Sequence, residues 1–311
     1  MMTRKQSNTG LKERVLSNRT ATPSPLHERE QKAERNQAKK PTKRTDDPTS
    51  SFPNAADGVV MLFLCFVAQI TVGILTIGLS ELLGVGMKEP AVVWASYVVA
   101  MGMTIILIAG YRRARGRRER LTSFSKSGFQ PGIILRAFLL LIGFSFVLEP
   151  INELLPEVKA SISPGFWGFL TVVIFAPLME EVLCRGLILR SIEKRHGILA
   201  AWVLSACFFG IIHYQPAPML YATLSGFVLA YAVLRTGSLW TPIAIHALNN
   251  LMSYALLSSG HFDQKVADLL PSPYLYWAIY VVVLAAVVWE ARQIVRWMEK
   301  RAFHYKKGMD A

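Results

Sequence analysis

Three short groups of residues have the types and spacing for chemistry. "EEVLCR" (180–185) places Glu180 and Glu181 ahead of Arg185, "FGIIH" (209–213) runs from Phe209 to His213, and "HALNN" (246–250) runs from His246 to Asn250. All three lie in apolar surroundings. A charge at the centre of a membrane helix costs about 2.5–3.5 kcal/mol on insertion scales, so such charges are paired, face a polar cavity or take part in a reaction. Helix positions i and i+4 nearly align, and Glu before Arg is the favourable order, so Glu181 is the natural partner of Arg185. Glu180 lies about 140° from Arg185 around the same helix and needs another reason. A buried ionic cluster that only fixes helix packing is one reason. A base facing a wet cavity is the other. His246 and Asn250 share the i,i+4 spacing, as do Phe209 and His213, where the aromatic ring can brace the imidazole. Glu180, His213, His246 and Asn250 therefore form a set with chemical logic. Carboxylate and imidazole can polarise a water, and imidazole and carboxamide can donate to an oxyanion.

The elements that must position this set are membrane helices. The 311-residue chain is 52% hydrophobic with a mean hydropathy of +0.33, too apolar for an ordinary soluble domain. Eight apolar segments follow one another, at 58–83, 91–111, 131–149, 165–189, 198–213, 219–234, 239–258 and 274–291. Most approach the ~20 residues a helix needs to cross a bilayer. The expected fold is all-α, a polytopic membrane protein of about eight transmembrane helices. A disordered basic tail (1–57) precedes the membrane domain (58–291, with its motif-bearing core at 160–258), and a basic tail (292–311) follows it. No apolar run suggesting a secretory signal lies in the first stretch.

The net charge of +13 could mean nucleic acid or a membrane surface. Its concentration between apolar runs and at both ends favours the membrane. With the N-terminus inside, the inner loops 111–126, 190–197 and 235–238 hold eleven Lys/Arg, against Lys88, Lys159 and Lys265 outside. Both termini are then cytoplasmic under the positive-inside rule. His27, His196, His261 and His304 fall in tails or loops and read as solvated. Cys65, Cys184 and Cys207 lack metal-ligand spacing and read as small buried hydrophobes.

In EExxxR, FxxxH and HxxxN order, each motif within an apolar span, the chain resembles the CPBP intramembrane proteases. These are also called type II CAAX prenyl endopeptidases or the bacterial Abi family. "RTGSLWTPIAIH" (235–246) adds to the likeness, which covers roughly residues 160–258. The resemblance implies peptide-bond hydrolysis inside the membrane. Glu180 would activate water with His213 assisting, His246 and Asn250 would hold the oxyanion, and Glu181, Arg185 and Phe209 would support them. The family is often described as metalloproteases. Glu180, His213 and His246 could ligate zinc, but no HExxH pair is present and a metal-free mechanism, the one expected here, fits the same residues.

The implied partners are a membrane-associated peptide or protein substrate and the lipid bilayer of a bacterial cell membrane, with no nucleic acid. A non-catalytic scaffold and a proton-coupled carrier are the alternative classes, although no internal repeat supports a carrier. One geometric demand remains. His213 lies near the outer end of its span and Glu180 deeper, so the fourth helix should begin late, near Ala176–Pro177, with 165–175 bent or at the interface.

Overall fold

The computed structural model describes residues 52–309 except 117–123, 157–162 and 263, and only the backbone of residues 127 and 305–309. All described residues fall in one compact unit, Pro48–Ala311. The basic stretch 1–51 and the middle of the 111–126 loop lie outside them. The described residues are helical, with no strand, so the all-α class holds.

Helix α1 spans Ala55–Leu83 and α2 spans Pro90–Ala114. A capping box starts α1. Asn54 Oδ1 accepts from the Asp57 amide at 2.9 Å, and Asp57 accepts from the Asn54 amide at 2.7 Å. Gly84 ends α1 at φ 66°, a left-handed position that costs glycine nothing. Asp57 also accepts from the Tyr111 hydroxyl at 2.6 Å and from Arg115 Nε at 3.0 Å, which ties the start of α1 to the end of α2. The expected boundary of the tail at residue 57 is therefore too late. Phe52 is already fully buried, with an edge-on contact to Tyr111.

Helix α3 spans Pro131–Asn152. From Phe166 the chain is helical without a gap to the kink at Gly197. It comprises α4 (Phe166–Phe169), a π-helical stretch Leu170–Phe175, α5 (Ala176–Glu181), a second π-helical stretch Val182–Leu189, and the start of α6 (Arg190–Ile211). The expected loop at 190–197 is thus helical up to Gly197, which turns the chain at φ 81°. His196, expected to be solvated, holds the Pro53 carbonyl at 2.6 Å. Helix α7 spans Pro216–Thr236, α8 Trp240–Ser258, α9 Val266–Leu269 and α10 Pro273–Met309. Proline at the first turn of α2, α3 and α7 suits a position whose amide has no helical partner. The last helix absorbs most of the expected C-terminal tail, because nothing in 292–309 breaks it.

Among the described residues five helices, α1, α2, α3, α7 and α10 (to His304), are long and apolar enough to cross a membrane. The remaining runs of the expected eight are the ones that carry the polar motifs. Their motif side chains Glu181, Arg185, Phe209 and His246 are buried against neighbouring helices, where polar groups find partners instead of lipid, while other faces of the same helices expose Leu204 and Met252. Helices α6 and α7 pack closely through glycines. A Cβ on Gly226 would stand 3.0 Å from Ala206 Cα, and one on Gly210 would collide with the Thr223 hydroxyl. Trp202 Nε1 donates to the Phe227 carbonyl across the same seam at 2.8 Å.

Candidate active site

Glu181 and Arg185 are both fully buried and joined at 2.8 Å, as their i,i+4 spacing predicts. Burying a pair costs several kcal/mol per ion unless further hydrogen bonds compensate. Arg185 finds them. Its Nη2 donates to the Gly226 carbonyl at 3.0 Å, and its guanidinium lies 4.5 Å from the centre of the Phe209 ring.

The same Glu181 oxygen that accepts from Arg185 also lies 3.1 Å from His246 Nδ1. A carboxylate paired with arginine can only accept, so Nδ1 of His246 donates and the ring's orientation is set. That contact spans 65 residues of sequence and brings the second motif glutamate into the site. On the other side of the ring, His246 Nε2 stands 3.9 Å from Glu180 Oε2, beyond hydrogen-bond reach but within the same chamber.

Glu180 itself is held by a residue the motifs do not contain. Tyr97 of α2 donates its hydroxyl to Glu180 Oε1 at 2.8 Å. The other oxygen, Oε2, is buried and makes no hydrogen bond among the described residues. Glu180 thus presents one fixed and one unengaged oxygen. A lone tyrosine in the apolar run "VVWASYVVAMG" (92–102) was the available signal for Tyr97.

Phe209 is the hub. Its ring meets His213 edge-on at 4.9 Å and His246 at 5.6 Å, besides lying under Arg185. His213 sits in the turn after α6, and its Nδ1 donates to the Phe209 carbonyl at 2.7 Å. A carbonyl only accepts, so Nδ1 carries the hydrogen and Nε2 is left for another partner. Among the described residues no contact joins His213 to Glu180. His213 instead packs on Phe209, whose ring also meets His246. The expected late start of the fourth helix is also absent, because the helix begins at Phe166 and its two wide π-helical stretches bracket the glutamates. Such widened turns recur at functional sites.

Asn250 has a structural partner. Its Nδ2 donates to the Val172 carbonyl at 2.9 Å. In the π-helical stretch the Ala176 amide bonds Thr171, five residues back, so the next amide in that register should serve Val172. That residue is Pro177, which has no amide hydrogen. Asn250 supplies the donor that proline withholds, and a second N–H remains on its amide for other use.

Among the described residues no three His, Cys, Asp or Glu groups are arranged to hold a metal ion. His246 turns Nδ1 to Glu181, and His213 turns Nδ1 to its own helix. Cys184 is fully buried beside this cluster.

The described residues thus form an all-helical bundle, five of whose helices are apolar enough to cross a membrane, around a buried chamber of Glu, His and Arg side chains. Residues 162–252, which span all three motifs, match the family model described as "Type II CAAX prenyl endopeptidase Rce1-like". The chain is also similar to the "Putative membrane peptidase YdiL" of Bacillus subtilis (strain 168), with 31% identity over 77 residues, 25% of this chain and 32% of that protein. It therefore aligns with about a third of the length of this curated relative. No solved structure matches. Both similarities are to membrane-peptidase or prenyl-endopeptidase sequences, in keeping with the resemblance that the three motifs carry.

Proposed function

We propose that the protein is an intramembrane endopeptidase that hydrolyses a peptide bond of a membrane-associated peptide or protein, CAAX-type processing being the nearest class. The observation that carries this reading is Glu180, with one oxygen fixed by Tyr97 and the other buried, unengaged and facing His246. The family-model match, which covers Glu180 and His246, supports it.

Glu180 acts as general base. It takes a proton from water as the water oxygen bonds to the scissile carbonyl carbon. The carbonyl becomes an oxyanion, which accepts from His246 Nε2–H and from the second N–H of Asn250. Glu181 holds His246 from behind and stabilises the imidazolium form that donates. Arg185 pairs with Glu181 from the other side. The intermediate then collapses, the C–N bond breaks, and the proton held by Glu180 passes to the departing amine. His213, packed on Phe209, assists by holding the approaching water or substrate.

No covalent enzyme intermediate forms, so neither Cys184 nor Cys207 is needed. The orientation that goes with this reading places both termini in the cytoplasm of a bacterial cell.

The test compares peptide termini in membranes of cells that carry the wild type, Glu180→Gln, or the double variant Cys184→Ala with Cys207→Ala. A terminus present with the wild type and the cysteine variant but lost with Glu180→Gln identifies the substrate and supports the mechanism. Cleavage that survives Glu180→Gln, or that vanishes with the well-folded cysteine variant, overturns it.

A further inference from the structure

Away from this chamber, a cavity of about 540 Å³ opens between α3, α7 and α10. Arg136, Arg235, Arg296 and Lys300 line it, with Glu290 as the single acidic group. Glu290 is already engaged by Arg136, at 2.8 Å. Among the described residues no carboxylate pairs with Arg235, Arg296 or Lys300. The cavity therefore presents three uncompensated cations.

Its walls are not those of a purely aqueous site. Ile133, Leu140 and Val228 form apolar lining, and Trp289 and Trp297 flank the basic groups. The Trp297 ring meets Tyr231 edge-on at 5.2 Å and carries the Arg235 guanidinium at 5.3 Å. Outside the cavity the same helices expose Leu135 and Leu139 on α3 and Val288 on α10. Aromatic and basic residues bordering such an apolar face mark the depth at which lipid headgroups lie. The cavity also sits at the bundle end where α3 begins and α7 ends.

From this arrangement we infer that the α3–α7–α10 cavity is a binding site for the phosphodiester headgroup of an anionic phospholipid, held by Arg235, Arg296 and Lys300. The lipid's glycerol and acyl portion follows the apolar wall onto the exposed faces of α3 and α10. A basic pocket between membrane helices suits such a headgroup, and the apolar wall distinguishes a lipid from a free phosphate. The inference rests on the chain spanning a membrane, not on its proposed activity.

Native mass spectrometry of the full chain in neutral detergent, titrated with phosphatidylglycerol, phosphatidylcholine or inorganic phosphate, tests it. Retention of phosphatidylglycerol over phosphatidylcholine is expected. The triple variant Arg235→Gln, Arg296→Gln, Lys300→Gln should lose about a hundredfold in affinity for phosphatidylglycerol. A control that removes three exposed basic residues outside the cavity, Arg113→Gln, Lys126→Gln, Arg292→Gln, should bind as the wild type does. Among the described residues none of the six makes an ion pair, and Arg235 alone has a ring contact, so both variants keep the fold. Three results overturn the proposal: equal binding by the triple variant, an equal loss in the control, or displacement of the lipid by an equal concentration of inorganic phosphate.

Discussion

Glu180 and Glu181 are neighbours with opposite surroundings, and their replacement should separate accordingly. Glu181 neutralises a fully buried arginine and orients His246, so Glu181→Gln strands Arg185 and should cost about 3–5 kcal/mol of stability together with activity. Glu180→Gln removes the base while keeping an acceptor for Tyr97, and should melt close to the wild type. Thermal melts in detergent decide this, and equal losses for both would refute the division of roles. Tyr97→Phe keeps the ring and removes only the hydroxyl that fixes Glu180. A hydrogen bond to a charged group contributes about 1.5–3 kcal/mol, so cleavage should slow by roughly ten- to a hundredfold with little change in melting. Unchanged cleavage by this variant would remove Tyr97 from the site. At this scale the motif side chains and the Glu181–Arg185 pair were legible, because a spacing of four residues fixes proximity on any helix. The His246–Glu181 and Tyr97–Glu180 contacts were not, because they join residues 65 and 83 apart, and local periodicity says nothing about which face of one helix meets another.

The elements carry a second device, the bond from Asn250 to the carbonyl that Pro177 leaves without its π-register amide. Asn250→Ala should therefore lose stability, by about 1–3 kcal/mol for an unsatisfied buried acceptor, as well as activity. Pro177→Ala restores an amide hydrogen in the right register. Added to Asn250→Ala, it should recover most of the melting temperature while cleavage stays low, since the oxyanion donor is still missing. Recovery of both properties would assign Asn250 to helix architecture alone, and recovery of neither would show that the Val172 contact is unimportant. Helix positions were largely readable from the apolar runs. The π-helical stretches were not, because they depend on how α8 packs against the motif helix. The helical 190–196 segment was hidden too, since its charges resemble those of a loop until packing against the entrance at Pro53 is known.

For the whole molecule, loop charges make a prediction about sidedness. Single cysteines at Ser125 and Ser259, introduced into a chain whose native cysteines are replaced, should label from opposite sides of the membrane. Labelling of both from one side would invert part of the arrangement. The pair α1 and α2 is joined by the Asp57 cluster at one end and by the Thr76–Ser96 hydroxyl contact at 2.9 Å nearer the other. That pair reaches the chemistry through Tyr97. The position of this hairpin and the hydrogen bonding of a buried carboxylate are thus thermodynamically linked. Whatever draws α2 away from the motif helix frees Glu180, and whatever neutralises Glu180 weakens the hold on α2 by the same free energy.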